Sequence, residues 1–188
     1  MIAKRPKLKS SYGITMADTG KFNSIVELEG YNFKMRGRSE LLILTKDGKI
    51  YLSKEKMGLC SVGRSDMYCV PGGGWDRYEM HDKAAIREAE EEAMIKTTNV
   101  QYGGYYIVEY PEPHKWIQEK IPKEDQWRGY YTEVYVGLYD GKYTGHIDDL
   151  DRNDIVKTGK FYNIKEVSKI LHPVHKDALT LYVSEYLK

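Results

Sequence analysis

Residues 73–95, GGWDRYEMHDKAAIREAEEEAMI, constrain this chain more than any other stretch of it. As a helix, the segment sets Glu88, Glu91 and Glu92 at i, i+3 and i+4, which stacks three carboxylates on one face. Like charges at that spacing repel, so the helix gains from them only when something cationic sits between. A hard divalent cation such as Mg2+, which prefers carboxylate oxygens, would do that. Just upstream, Pro71-Gly72-Gly73-Gly74 predicts a glycine turn where a backbone can approach a phosphate closely. For EAEEE alone, a solvated acidic face is the plainer alternative, and the residues around it decide the matter.

Those residues have a specific spacing: Gly73, five residues, Glu79, seven residues, Arg87-Glu88, two residues, Glu91-Glu92. The pattern resembles the Nudix box, the signature of hydrolases that cleave a nucleoside diphosphate linked to another group. Pro71-Gly72-Gly73 and Ala84-Ala85-Ile86 are also similar to that family. The resemblance implies an α/β chain with the Nudix fold, an α/β/α sandwich around a mixed curved β-sheet. It implies a pyrophosphohydrolase in which Glu88, Glu91 and Glu92 are catalytic and bind Mg2+ or Mn2+. One of them, or a carboxylate on a later loop, would deprotonate the attacking water. Arg87 is expected to pair with Glu79 in a structural role, and Gly72, Gly73 and Gly74 to form the substrate and phosphate loop. Many family members add a distal acidic residue. Here Glu133, on a strand, and Asp148, Asp149 and Asp151, in the loop HIDDLD, are equal candidates.

Two positions depart from the family pattern. Ala89 replaces a branched aliphatic residue, which leaves a smaller side chain beside Ala85 and Ala93. Met94 replaces a glycine that would end the helix in a left-handed conformation, one that methionine adopts only at a cost. The helix is therefore expected to run on toward Lys96 or Thr98 and to turn near Asn99.

With 188 residues the chain reads as one domain, residues 1–188, with an N-terminal extension at 1–37. SYGITMA and NSIVELE around Asp18-Thr19-Gly20 predict a hairpin there, either an addition or the first core strands. LLILT and KIYLS flank an Asp47-Gly48 hairpin turn. Asp82 is a plausible N-cap for a helix starting at Lys83. YGGYYIVEY and RGYYTEVYVGLY predict two strands, the second closing at Asp140-Gly141. The connection 111–127, with three prolines and two tryptophans, is long enough to suggest a functional loop. Asn163-x-x-Glu166 opens a short helix, and an amphipathic helix over about 174–187 turns Ala178, Leu181 and Tyr182 inward.

A net charge of +1 gives no global pull toward nucleic acid. The cluster Lys4, Arg5, Lys7 and Lys9 reads as a solvated tail. No apolar run approaches a membrane span. Cys60 and Cys69 fit reduced thiols in a cytoplasmic protein, and His172 and His175 lack partners for a metal site. The expected partner is a nucleotide-derived small molecule. ADP-ribose-like or nucleotide-sugar substrates lead: Pro111, sixteen residues past Ile95, resembles a proline of the family's ADP-ribose hydrolases, whereas Tyr110, fifteen past it, resembles a tyrosine of its diadenosine polyphosphate hydrolases. The alternatives are a dNTP, a diadenosine polyphosphate or capped RNA, or a non-catalytic nucleotide-binding module of the same fold. The N-terminal hairpin offers an edge for a homodimer.

Overall fold

The structure, a computed structural model, describes residues 4–15, 22–54, 68–143, 158–167, 171 and 173–186. Its sheet is organised around β3 (Met35–Leu44). This strand pairs antiparallel with β2 (Phe22–Leu28), β4 (Lys49–Lys54) and β6 (Gly72–Gly74), and parallel with β8 (Gly129–Tyr143). Beyond these lie β1 (Leu8–Thr15) on β2, β5 (Tyr68–Cys69) and β9 (Thr158–Asn163) on β4, and β7 (Ile95–Glu109) on β8. The result is a mixed sheet of nine strands among the described residues.

Leu41 to Leu44 are buried on both faces, as a strand held between two layers must be. Leu41 and Ile43 pack on Ala85, Ala89 and Ala93 of α1 (His81–Ala93). Leu42 and Leu44, on the opposite face, join Val134, Val136, Ala178 and Leu179 under α4 (Pro173–Tyr186). The small alanines let α1 sit close to the sheet. At the other end of β3, Arg36 and Arg38 share the face of Leu42 and are only half-buried. Here α2 (Lys115–Lys120) and a 3-10 turn (Lys123–Asp125) bring Ile117, Ile121 and Trp127 against Ile25 of β2. The segment 111–127 is therefore packed structure with its own core, and Trp127 is buried in it with Trp116 edge-on at 5.6 Å.

The structure corrects several expectations. α1 starts at His81 with Met80 at the N-cap and no side-chain cap, so Asp82 lies in the first turn instead. There its charge still favours the helix dipole. Gly72–Gly74 is a strand paired with Arg38, Ser39 and Glu40, not a turn. Asp140-Gly141 does not end β8, which continues to Tyr143 opposite Ile95. The N-terminal cations are not simply a solvated tail, because Arg5 docks on the body of the protein as described below. The turn at 18–20, Cys60, Asp148, Asp149, Asp151 and His172 lie outside the described residues, and so do the side chains of Leu181 and Tyr182. Lys165 N–H donates to Asn163 Oδ1 at 3.0 Å, opening α3 (Ile164–Val167).

Met94 gives the most instructive correction. The helix stops at Ala93, and Met94 takes the left-handed conformation itself, φ 54° and ψ 37°, with its N–H returned to Ala89 and Glu90 carbonyls. A left-handed non-glycine residue costs about 1–2 kcal/mol. Running the helix on would pull Ile95, which is fully buried, out of the core at about 1.5–3 kcal/mol. Burial outweighs backbone preference. Asn99 is also left-handed, φ 53°, at a register shift inside β7. Met94→Gly is thus expected to raise stability by about 0.5–1 kcal/mol and Met94→Val to lower it by about 1–2 kcal/mol, read from urea midpoints. Equal midpoints for the two variants would show that no strain is held there.

Candidate active site

The acidic face of α1 lies against β6, and one guanidinium joins them. Arg87 donates through Nε and Nη2 to the two oxygens of Glu79, at 2.8 and 2.9 Å, and through Nη2 to the Gly74 carbonyl at 3.0 Å. Its Nη1 reaches Glu88 at 2.8 Å and Glu91 at 3.2 Å. Hydrogen bonding to Glu79 raises the Arg87 pKa further above its already high value. Glu79 also accepts the Asp76 N–H at 2.9 Å, so the turn before α1 is closed by the same carboxylate. Glu92 accepts from the Gly72 N–H at 3.1 Å, a second tie between helix and strand.

Glu88 is the inner member of the trio. Its side chain is 13% exposed, against 51% for Glu91. Burial pushes its carboxyl above the usual range, Arg87 opposes that, and the like charges of Glu92 and Glu91 push it up again. The glycine at 73 is required by this approach, because a Cβ there would collide with the Glu88 carboxyl group. No group of three carboxylate, imidazole or thiol side chains stands in a metal-holding arrangement among the described residues, and Arg87 lies between Glu88 and Glu91. The donors themselves are hard carboxylate oxygens, the set that suits Mg2+ or Mn2+.

On the face that α4 leaves open, Arg36 and Arg38 come up beside β6. A Cβ on Gly74 would meet Arg36 Nη2 at 2.6 Å. Burial and the neighbouring Arg38 charge lower the Arg36 pKa, while Glu88 and Asp76 act the other way at longer range. Arg38 lies over the Tyr130 ring at 5.4 Å. Among the described residues neither arginine has a carboxylate within ion-pair distance. Next in line, Glu40 accepts from Tyr106 OH at 2.8 Å and bonds His175 Nε2 at 2.8 Å. Burial disfavours the Glu40 charge, but these bonds and Arg38 hold its pKa below the usual range. His175 is thus a buried partner of a carboxylate. Sequence reasoning started this strand at Leu41 and so missed these groups, although the alternation Arg36-x-Arg38-x-Glu40 carries the period of a strand face.

Glu133 faces the other layer. Its oxygens take Tyr131 OH at 2.9 Å, Tyr135 OH at 2.6 Å, His81 Nδ1 at 3.2 Å and Arg5 Nε at 3.3 Å. Arg5 also donates to Tyr135 OH and lies 4.5 Å over the Tyr102 ring. His81 in turn stacks flat on Trp75 at 3.5 Å. So enclosed, Glu133 has the geometry of a structural buried anion rather than of a mobile base.

A family model for the NUDIX domain matches residues 35–182, and the chain belongs to that family, whose enzymes hydrolyse pyrophosphate bonds and generally use a divalent metal. An RNA pyrophosphohydrolase of Azorhizobium caulinodans is 25% identical over 122 residues, 63% of this chain. The match spans 66% of that relative's own length. Among solved structures, a NUDIX hydrolase from Nitrosomonas europaea shares the fold, with a TM-score of 0.53 at 15% identity over 81% of this chain and 90% of its own. An Ap4A hydrolase of C. elegans has a TM-score of 0.47 at 17% identity over 82% of this chain and 99% of its own. No helix among the described residues is long and apolar enough to cross a membrane.

Two outcomes are expected. Gly73→Ala should displace only the flexible tip of Glu88, so it should fold with a midpoint close to wild type while losing at least about tenfold in kcat. A fully active Gly73→Ala enzyme would show that Glu88's position is unimportant. For Glu133, burial disfavours the charge, but bonds from His81, Tyr135 and Tyr131 outweigh it and hold the pKa below its usual value near 4.5. The contribution is therefore complete above that value and is lost as pH falls through the lowered one. Glu133→Gln should cost about 1–3 kcal/mol near neutral pH and flatten the acid limb of the stability curve. Parallel acid limbs for the two proteins would refute it.

Proposed function

We propose that this protein hydrolyses a pyrophosphate bond in a nucleoside diphosphate linked to another group, with Glu88, Glu91 and Glu92 binding Mg2+ or Mn2+. The observation that carries this is the position of Glu88: buried, crowded by Glu91 and Glu92, packed over Gly73, and close enough for its charge to act on Arg36 and Arg38. Excess negative charge near two arginines that have no carboxylate partner among the described residues suits a cation and a polyphosphate together. When bound, the cation supplies charge neutralisation at phosphate and a lower pKa for water.

The chain's own groups do the rest. Arg36 and Arg38 bind phosphate oxygens, fork to oxygen, and orient the bond. Glu91, the exposed member, has the mobility to take a proton from the attacking water. Arg87 stays tied to Glu79 and Gly74 and holds α1 against β6, a positioning role. Gly73 leaves the space through which Glu88 reaches the phosphates.

For the leaving group, two classes compete. ADP-ribose-like and nucleotide-sugar substrates are suggested by Pro111. In the structure Pro111 O accepts Arg128 Nη1 at 3.3 Å, and the Tyr110 ring meets His114 at 4.4 Å and Tyr130 at 5.9 Å, on the arginine side of β8. A pyrophosphorylated RNA end is the second class, favoured by the relative from Azorhizobium caulinodans. A cytoplasmic setting, and a homodimer formed through the β1 edge, belong to the same proposal.

Product release from a panel covering both classes, with and without Mg2+, tests it. Wild type should turn over at least one class only with the cation. Glu91→Gln should lose about 10²–10⁴ in kcat with little change in KM and an unchanged melting temperature. Tight cation-independent binding with no turnover anywhere would instead make the protein a nucleotide-binding module.

A further inference from the structure

Four buried polar atoms without a hydrogen-bond partner among the described residues gather in one region: Arg36 Nε, His114 Nε2, Trp127 Nε1 and Arg128 Nε. The connections between them are short. Arg36 stands opposite Ile25, which packs with Trp127, and Arg128 follows in the chain. Tyr130, the strand partner of Arg36, meets Tyr110, which meets His114. An unpaired buried donor costs about 1–3 kcal/mol, and Arg36 Nε, Trp127 Nε1 and Arg128 Nε are three N–H donors of that kind, which favours acceptor oxygens nearby.

Of these four residues Arg128 lines a cavity of about 580 Å³, with Lys9, Lys34 and Lys123 also on its wall. That volume falls in the range of small-ligand sites. Glu27 is the acidic residue in its lining. Outside it, Lys34 Nζ lies 3.7 Å from Asp125, and Arg128 donates to Glu109 at 2.7 Å. Tyr31 and Phe33 add an edge-to-face aromatic pair at 5.6 Å, with the Arg128 guanidinium 4.3 Å over the Phe33 ring. Arg38 and Arg36 stand about 7 Å apart on one strand face, and Lys34 continues that line into the cavity. Its carbonyl accepts the Arg128 N–H at 3.2 Å. A cationic track thus leads away from Glu88 and ends among stacking surfaces. ADP-ribose carries two phosphates and has no phosphodiester to place at the far end of it.

We propose that this cavity binds the phosphodiester and base of the nucleotide next to the reacting end, so that the substrate is a single-stranded oligonucleotide with a 5′-pyrophosphate. This rests on the pyrophosphohydrolase activity proposed above, with Arg36 and Arg38 on the reacting phosphates. Stacking on exposed aromatic surfaces and backbone cations are the general means of holding single strands.

The test uses Lys9→Glu combined with Lys123→Glu, two exposed changes outside the catalytic machinery. Wild type should process a 5′-triphosphorylated RNA pentamer with a kcat/KM at least about tenfold above that for the matching nucleoside triphosphate. The double variant should remove most of that advantage and leave the mononucleotide rate unchanged. Its salt dependence should also flatten, by about 0.7 in log–log slope for each phosphate no longer neutralised. Equal rates on pentamer and mononucleotide, or a double variant that keeps the advantage, overturn the inference while leaving pyrophosphate hydrolysis intact. Fluorescence anisotropy with a 5′-monophosphorylated pentamer gives a readout that needs no turnover. About tenfold weaker binding by the double variant supports the cavity even if no substrate reacts, whereas unchanged binding, or equal competition by diadenosine tetraphosphate, refutes it.

Discussion

The Arg87 guanidinium is the contact on which the arrangement of this site depends. It spans the Glu79 carboxylate, the Gly74 carbonyl and two of the trio Glu88, Glu91 and Glu92 of α1. A planar fork can hold that many partners at once because its donors diverge at fixed angles, which a lysine ammonium cannot reproduce. Without it, three carboxylates on successive turns would repel one another and α1 would have no polar hold on β6. The apolar side of the same helix is only alanine, so its grip on the sheet is close but shallow. The polar clamp and the small contact face therefore work together, and both bring Glu88 over Gly73.

The mixed topology gives the site its second half. Because β3 runs between an α1 layer and an α4 layer, alternate residues serve opposite faces. At the Leu42 end both faces are covered and the strand is wholly apolar. Toward Arg36 the α4 layer gives out, and the exposed face turns cationic. Residues 111–127 fill part of that gap with α2 and Trp127, and a basic cavity opens beside them. The charged sites on the two faces differ in kind: Glu133 is closed in by two tyrosines, a histidine and Arg5, whereas Arg36 and Arg38 have no carboxylate within ion-pair distance among the described residues.

Sequence and structure part company where long-range packing decides a local conformation. Met94 is the clearest instance, since local preference argued for a longer helix and the burial of Ile95 prevailed. The triple glycine is another. Its composition suggested a turn, but its role is to let Glu40, Glu88 and Arg36 crowd a paired strand. Arg5 looked like part of a solvated tail because nothing local showed that Glu133, far along the chain, would be buried within its reach.

By itself the sequence determined the reaction chemistry and the local elements that bear it. The stacking of Glu88, Glu91 and Glu92 is a matter of helix periodicity, which needs no tertiary information, while Gly73 and Glu79 precede the helix and are read through the family resemblance. The pairing of Arg87 with Glu79 was implied by the family resemblance, and the α/β class fits the order of strands and helices. What only the tertiary structure decided is which distant groups meet that helix. Arg36, Arg38, the Glu40–His175 pair and the cavity beside α2 are joined by strand register and layer packing. Those contacts depend on burying the whole core at once, and no local pattern encodes them.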